Sequence, residues 1–245
     1  MAQRQEQQAN QPKKHWERTR EVLASAAHPV KRLFVGRKLD NLLLKAASDG
    51  ENSEILRLIK AGAKITAKNR YGYTALHHAA SNGQAQACIL LLQEYVKAGG
   101  NAKDLITAKD KTGWTPLHPA ATNGNAQTCG LLIQEYAKAG GDAKDIITAK
   151  DEEGYTALHH AALYAHTQAC ILLIEEYAKA GGNAKELVAV NDNYERTALQ
   201  YAENKGHIQT AQFLKSIELL GDMIEVENIK PFLSDFRRCI GAIFS

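Results

Sequence analysis

Apolar residues recur at i, i+3, i+4 and i+7 in three separated stretches: Cys88, Leu91, Leu92 and Tyr95; Cys129, Leu132, Ile133 and Tyr136; Cys170, Leu173, Ile174 and Tyr177. That spacing puts one apolar stripe on one face of a helix. Each stretch closes on Lys-Ala-Gly-Gly, in which glycine is free to take the left-handed conformation past a helix end. Ahead of each lies a shorter segment, Thr74–Ala80, Thr115–Ala121 and Thr156–Ala162, reading Thr-Ala/Pro-Leu-His-x-Ala-Ala. Threonine suits the N-cap, and Pro116 falls at a first helical position, where its fixed φ and missing N–H do no harm. The pattern predicts a short helix followed by a longer antiparallel one.

The short segments start at 74, 115 and 156, and a degraded copy, Thr-Ala-Leu-Gln-Tyr-Ala-Glu, starts at 197. All are 41 residues apart. A fifth unit starts near Asn41, 33 residues upstream, where Leu42-Leu-Leu-Lys-Ala-Ala47 runs into Ser48-Asp49-Gly50. A lone helix pair cannot bury its own apolar face, so five such units have to stack in a row. The Thr-Pro-Leu-His-x-Ala-Ala motif, the downstream Leu-Leu and the Lys-Asp-x-x-Gly connections (Lys109, Asp110, Gly113; Lys150, Asp151, Gly154) resemble the ankyrin repeat from about Leu39 to Ile217. The resemblance implies an all-α solenoid of stacked helix pairs with hairpin-like connections on one side.

The 41-residue units exceed the 33 residues of the first by eight. The extra residues follow the second helix, with Asn101, Asp142 and Asn183 placed to cap a short added turn whose Leu105, Ile146 and Leu187 tuck back. The last unit has Glu195 where the others have glycine, and Glu203 where they have alanine, which suits a polar terminal cap. The expected organisation is a basic segment over 1–38, repeats over 39–218 and an amphipathic helical segment over 219–245. Trp16, Leu23 and Ala27 predict a helix from about His15 to Ala27, with Val30, Leu33 and Phe34 folding back on the first repeat. Phe232, Leu233, Phe236, Ile240 and Ile243 give the C-terminal stripe, expected to cap the stack, with membrane contact as the alternative.

Composition narrows the function. Of 245 residues, 44% are hydrophobic and 23% charged, ordinary for a globular chain, so wholesale disorder and fibrous classes are excluded. No window approaches the ~18 consecutive apolar residues of a spanning helix, and the polar start lacks the apolar core of a signal peptide. A cytoplasmic location is expected. Residues 1–38 carry nine Lys/Arg against three Glu, leaving the rest of a +3 chain at −3. The basic excess is confined to that leader, which reads as a solvated tail, and the repeat groove carries both signs, so nucleic acid is not the expected partner. Cys88, Cys129 and Cys170 occupy one repeat position and so form a line of core thiols instead of converging on a metal. Phosphate-cradle, zinc-helix and nucleophile-elbow motifs are absent from the sequence. The expectation is a chain that is not an enzyme, needs no cofactor or metal, and acts as a monomer.

His77, His118 and His159 recur three residues after each cap, and the resemblance implies that they tie neighbouring hairpins together. It further implies that a partner protein binds the concave face of hairpin tips and first helices. There Tyr73, Trp114, Tyr155 and Arg196 fall in one row, a composition typical of binding hot spots. Trp114 is expected to stand out into the groove, whereas Tyr73 and Tyr155 fit exposure and packing equally. The tips add Arg70 and Tyr71, Lys111 and Thr112, Glu152 and Glu153, then Asn193 and Tyr194, so charge runs from basic to acidic. Leu163 and Tyr164 mark an apolar pocket on the inner helices. The resemblance also admits an alternative, a secreted effector of an intracellular bacterium acting on a host protein in the host cytosol.

Overall fold

The computed structural model describes residues 29–220, whose thirteen helices come without a strand among the described residues. They are α1 (Pro29–Asp49), α2 (Asn52–Lys60), α3 (Ala75–Ser81), α4 (Ala85–Lys97), α5 (Ala102–Ile106), α6 (Leu117–Thr122), α7 (Ala126–Lys138), α8 (Ala143–Ile147), α9 (Ala157–Leu163), α10 (Thr167–Lys179), α11 (Ala184–Val188), α12 (Ala198–Asn204) and α13 (Ile208–Leu220). Five helix pairs stand in sequence. First helices α1, α3, α6, α9 and α12 pack each on the next, and second helices α2, α4, α7, α10 and α13 do the same behind them.

The packing follows from the residue pattern. Ala79, Ala80, Ala120, Ala121, Ala161, Ala162 and Ala202 have no exposed surface, and their small side chains let the first helices approach closely. Leu91, Leu132 and Leu173 fill the space between the two rows without exposure, each adding roughly 1.5–3 kcal/mol by burial. Tyr136 and Tyr177 complete the stripe as buried residues, while Tyr95 stays half-buried. The eight added residues form α5, α8 and α11 as expected. Asn101, Asp142 and Asn183 accept from the N–H of Lys103, Lys144 and Lys185, and Leu105, Ile146 and Leu187 are buried. These short helices pack on second helices of their own and the following unit.

The first unit differs from expectation. Its first helix does not start near Asn41 but runs continuously from Pro29, so the boundary drawn between 38 and 39 falls inside α1. Proline is tolerated at that start because a helix's first N–H groups lack intrahelical acceptors in any case. The helix expected over His15–Ala27 lies outside the described residues, as does the segment from 221 onward.

Each connection hairpin turns on a left-handed residue: Gly72, Gly113 and Gly154 at φ of 93°, 81° and 85°, and Glu195 at 59°. A side chain in that region costs roughly 1–2 kcal/mol, part of which glycine returns as chain entropy. Glu195→Gly is therefore expected to stabilise the protein by about 1 kcal/mol. A urea midpoint that rises confirms the strain, and one that falls refutes it.

Candidate functional site

The hairpins are built from carboxylate or amide side chains folding back on their own loops. Asp110 Oδ1 accepts from the N–H groups of Thr112 and Trp114, both at 2.8 Å. Asp151 does so from Glu153 and Tyr155, Asp192 from Tyr194 and Arg196, and Asn69 from Tyr71 and Tyr73. Neighbouring tips are joined through the backbone: the N–H groups of Lys111, Glu152 and Asn193 donate to the carbonyls of Tyr71, Thr112 and Glu153. Lys68, Lys109 and Lys150 each reach the carbonyl 41 residues on, at 2.7, 3.2 and 2.7 Å.

A second ladder lies beneath. Nε2 of His77, His118 and His159 sits 2.9, 3.3 and 3.1 Å from the carbonyls of Trp114, Tyr155 and Arg196 in the following unit. A carbonyl only accepts, so Nε2 carries the proton. Nδ1 is then left to accept the N–H of Thr74, Thr115 or Thr156. Burial holds His77 and His118 as neutral rings, lowering each pKa to about 4. Gln200 takes this position in the last unit, where it accepts from Thr197 N–H and is exposed.

The position after each of these histidines decides what meets the second oxygen of the hairpin acid. His160 Nε2 lies 3.0 Å from Asp151 Oδ2, and Tyr201 O–H donates to Asp192 Oδ2 at 2.6 Å. Burial alone would raise the Asp151 pKa, but the His160 ring and the Tyr155 N–H outweigh it and hold the carboxyl below the usual range. Asn69 similarly pairs with His78. In the third unit the residue is Pro119, so among the described residues Asp110 Oδ2 meets only the Thr112 hydroxyl, at 3.1 Å, and that proton is shared with Oδ1 at 2.9 Å.

The aromatic row sits on these rings. Trp114 lies 4.6 Å from the His160 ring and 6.2 Å from His118, and Tyr155 lies 5.3 Å from His160 and 5.2 Å from Tyr201, to whose hydroxyl it hydrogen-bonds. Tyr73 packs edge-on to His77 and tilted over His78. Trp114 is thus half-buried rather than projecting as expected, because Pro119 offers it no ring and it leans on the next unit's histidine. Tyr73 and Tyr155 are half-buried as well.

Between these rings opens a cleft of about 460 Å³ that gathers seven of the residues expected at the site: Tyr71, Tyr73, Lys111, Thr112, Trp114, Glu153 and Tyr155. Asp110, Asp151 and His160 complete its wall. The other expected residues stand outside it. Arg70 lies over the Tyr71 ring, Glu152 is exposed, and the Arg196 guanidinium sits 5.7 Å from both Tyr194 and Tyr201. Leu163 ends α9 and Tyr164 follows it as the C-cap, and neither residue lines this cleft.

Sequence reasoning used Asp110 and Asp151 only as markers of the repeat. Their 41-residue spacing, continued at Asn69 and Asp192, is the signal that this position shapes every hairpin. His207, which no local motif singles out, reaches the Leu163 carbonyl through Nε2 at 2.9 Å. Among the described residues no three His, Cys, Asp or Glu side chains gather as metal ligands. Cys88, Cys129 and Cys170 are fully buried, and burial raises the thiol pKa, to about 12 for the first two, which leaves them protonated and unreactive. No described helix is long and apolar enough to cross a membrane.

Against known families, a model described as ankyrin repeats (3 copies) matches residues 43–145 and 142–222. No curated protein matches the chain.

Proposed function

The chain belongs to the ankyrin-repeat family, whose members are generally protein–protein interaction modules, and on that premise we propose that it binds a partner protein on the face of hairpin tips and first helices, without catalysing a reaction. The observation that carries this reading is the aromatic-walled cleft spanning three consecutive hairpins. Tyrosine and tryptophan bring large contact area at little entropic cost, and they dominate binding energy in most interfaces. The ladders beneath hold those rings in place before any partner arrives, which lowers the ordering cost of association.

The test avoids the packed rings. Tyr71, Lys111 and Glu153 are exposed, so replacing them by Ser, Glu and Lys should leave stability within about 0.5 kcal/mol. A partner captured by the full chain from lysates of its own cell or of a host should then bind at least tenfold more weakly. Affinity unchanged within twofold refutes the reading. The lysate that yields the partner separates a resident module from a secreted effector.

A further inference from the structure

Resting on the groove reading above, we propose that the cleft over Asp110 is a receptor for a basic side chain, an arginine presented by an extended segment of the partner. Four observations converge there. Three carboxylates, Asp110, Asp151 and Glu153, line the cleft against one ammonium, Lys111. Two of those acids are differently committed: Asp151 Oδ2 already receives the His160 ring, whereas Asp110 Oδ2 shares a single hydroxyl proton. A carboxylate offers about four acceptor positions, and the two loop N–H groups occupy only Oδ1. The aromatic rings of Tyr73 and Trp114 line the same cleft, and aromatic faces attract a cation within about 6 Å, whereas the Tyr71 ring already carries Arg70.

Pro119 is the residue that creates the opening. The equivalent positions His78, His160 and Tyr201 each put a side-chain group on the hairpin residue of their own unit. Proline has no such group, so Asp110, which lines the cleft, keeps acceptor capacity on Oδ2, and its negative charge reaches Tyr73, whose pKa is raised by burial and then by Asp110. A guanidinium matches this wall in two ways, stacking on the rings by its planar face and bonding the carboxylate by its edge.

N-acetyl-arginine amide is titrated into the nitrogen-15-labelled full chain, with N-acetyl-glutamine amide as the neutral probe. Saturable shifts of the Trp114 indole and of the amides from Asp110 to Trp114 are expected with the arginine probe alone. Asp110→Asn keeps the loop, since Asn69 builds the same turn in the second unit, and should weaken the arginine probe at least fivefold. Pro119→His installs the side chain found in the units on either side and should do the same by closing the acceptor. Equal shifts with the glutamine probe, or unchanged affinity in both variants, overturn the inference. A partner that is lost with the Tyr71/Lys111/Glu153 replacement but binds Asp110→Asn normally also overturns it, while leaving the groove reading intact.

Discussion

Between pH 7 and pH 4.5 the protein is expected to lose on the order of 5 kcal/mol of stability through His77 and His118 alone. Both rings stay neutral in the fold, with pKa values lowered from 6.5 to about 4, chiefly by burial. Above pH 6.5 folded and unfolded chains bind no proton at these sites, and the contribution is complete. As the pH falls through 6.5 the unfolded chain takes up a proton at each ring while the folded one does not, so the unfolded state gains until the folded value is reached. His159 and His78 are shifted in the same direction and add to the loss. Protonating the native ring would turn Nδ1 into a donor facing the threonine N–H, which is why the fold resists it. Urea unfolding across this range checks the claim. His118→Gln copies the last unit's Gln200 and should flatten the acid decline while costing stability at neutral pH. A profile flat to pH 4, or a decline untouched by that substitution, assigns acid sensitivity to other groups.

Gly72→Ala should cost on the order of 3 kcal/mol, the strain of a left-handed side chain plus a clash that nothing nearby can relieve. A Cβ at residue 72, where φ is 93°, would lie 2.7 Å from the Lys111 nitrogen and 2.9 Å from the Asp110 Cα. Those atoms are backbone of the next hairpin, and Lys111 N–H is itself bonded to the Tyr71 carbonyl at 3.0 Å. Gly140→Ala isolates the first component, because residue 140 has φ of 81° but no atom near its Cβ. It should cost about 1–2 kcal/mol. If the two substitutions are equally costly in urea unfolding, the hairpins are not stacked as described. The same geometry explains Glu195, whose hairpin has no following tip against it among the described residues and tolerates a side chain at the price of backbone strain alone.

Much of this architecture is written in the periodicity. The 41-residue spacing and the Cys/Leu/Tyr stripes identify the units, and Asn101, Asp142 and Asn183 announce the added turns, because a cap is a local interaction between residues two apart. Side chains whose partners lie a full unit away are legible only through the repeat. His77 and Trp114 are 37 residues apart in sequence, and it is stacking that joins them. What repetition hides is the exception. Pro119 reads as an interruption in a histidine row, and only the fold reveals that the gap falls beside Asp110, a carboxylate lining an aromatic cleft. The start of α1 at Pro29 was hidden for a different reason. The repeat register places the first unit near Asn41 by matching it to the units that follow, and that match carries no information on how far upstream its helix extends.

The claim on which the functional account stands is that a partner seats on the hairpin and first-helix face and not on the second helices. Hydrogen exchange of the full chain with and without a captured partner reads this residue by residue. The account predicts slowed exchange at the tips 70–73, 111–114 and 152–155, with α4, α7 and α10 unaffected. Protection confined to α4, α7 and α10, with the tips exchanging as in the free chain, would contradict it.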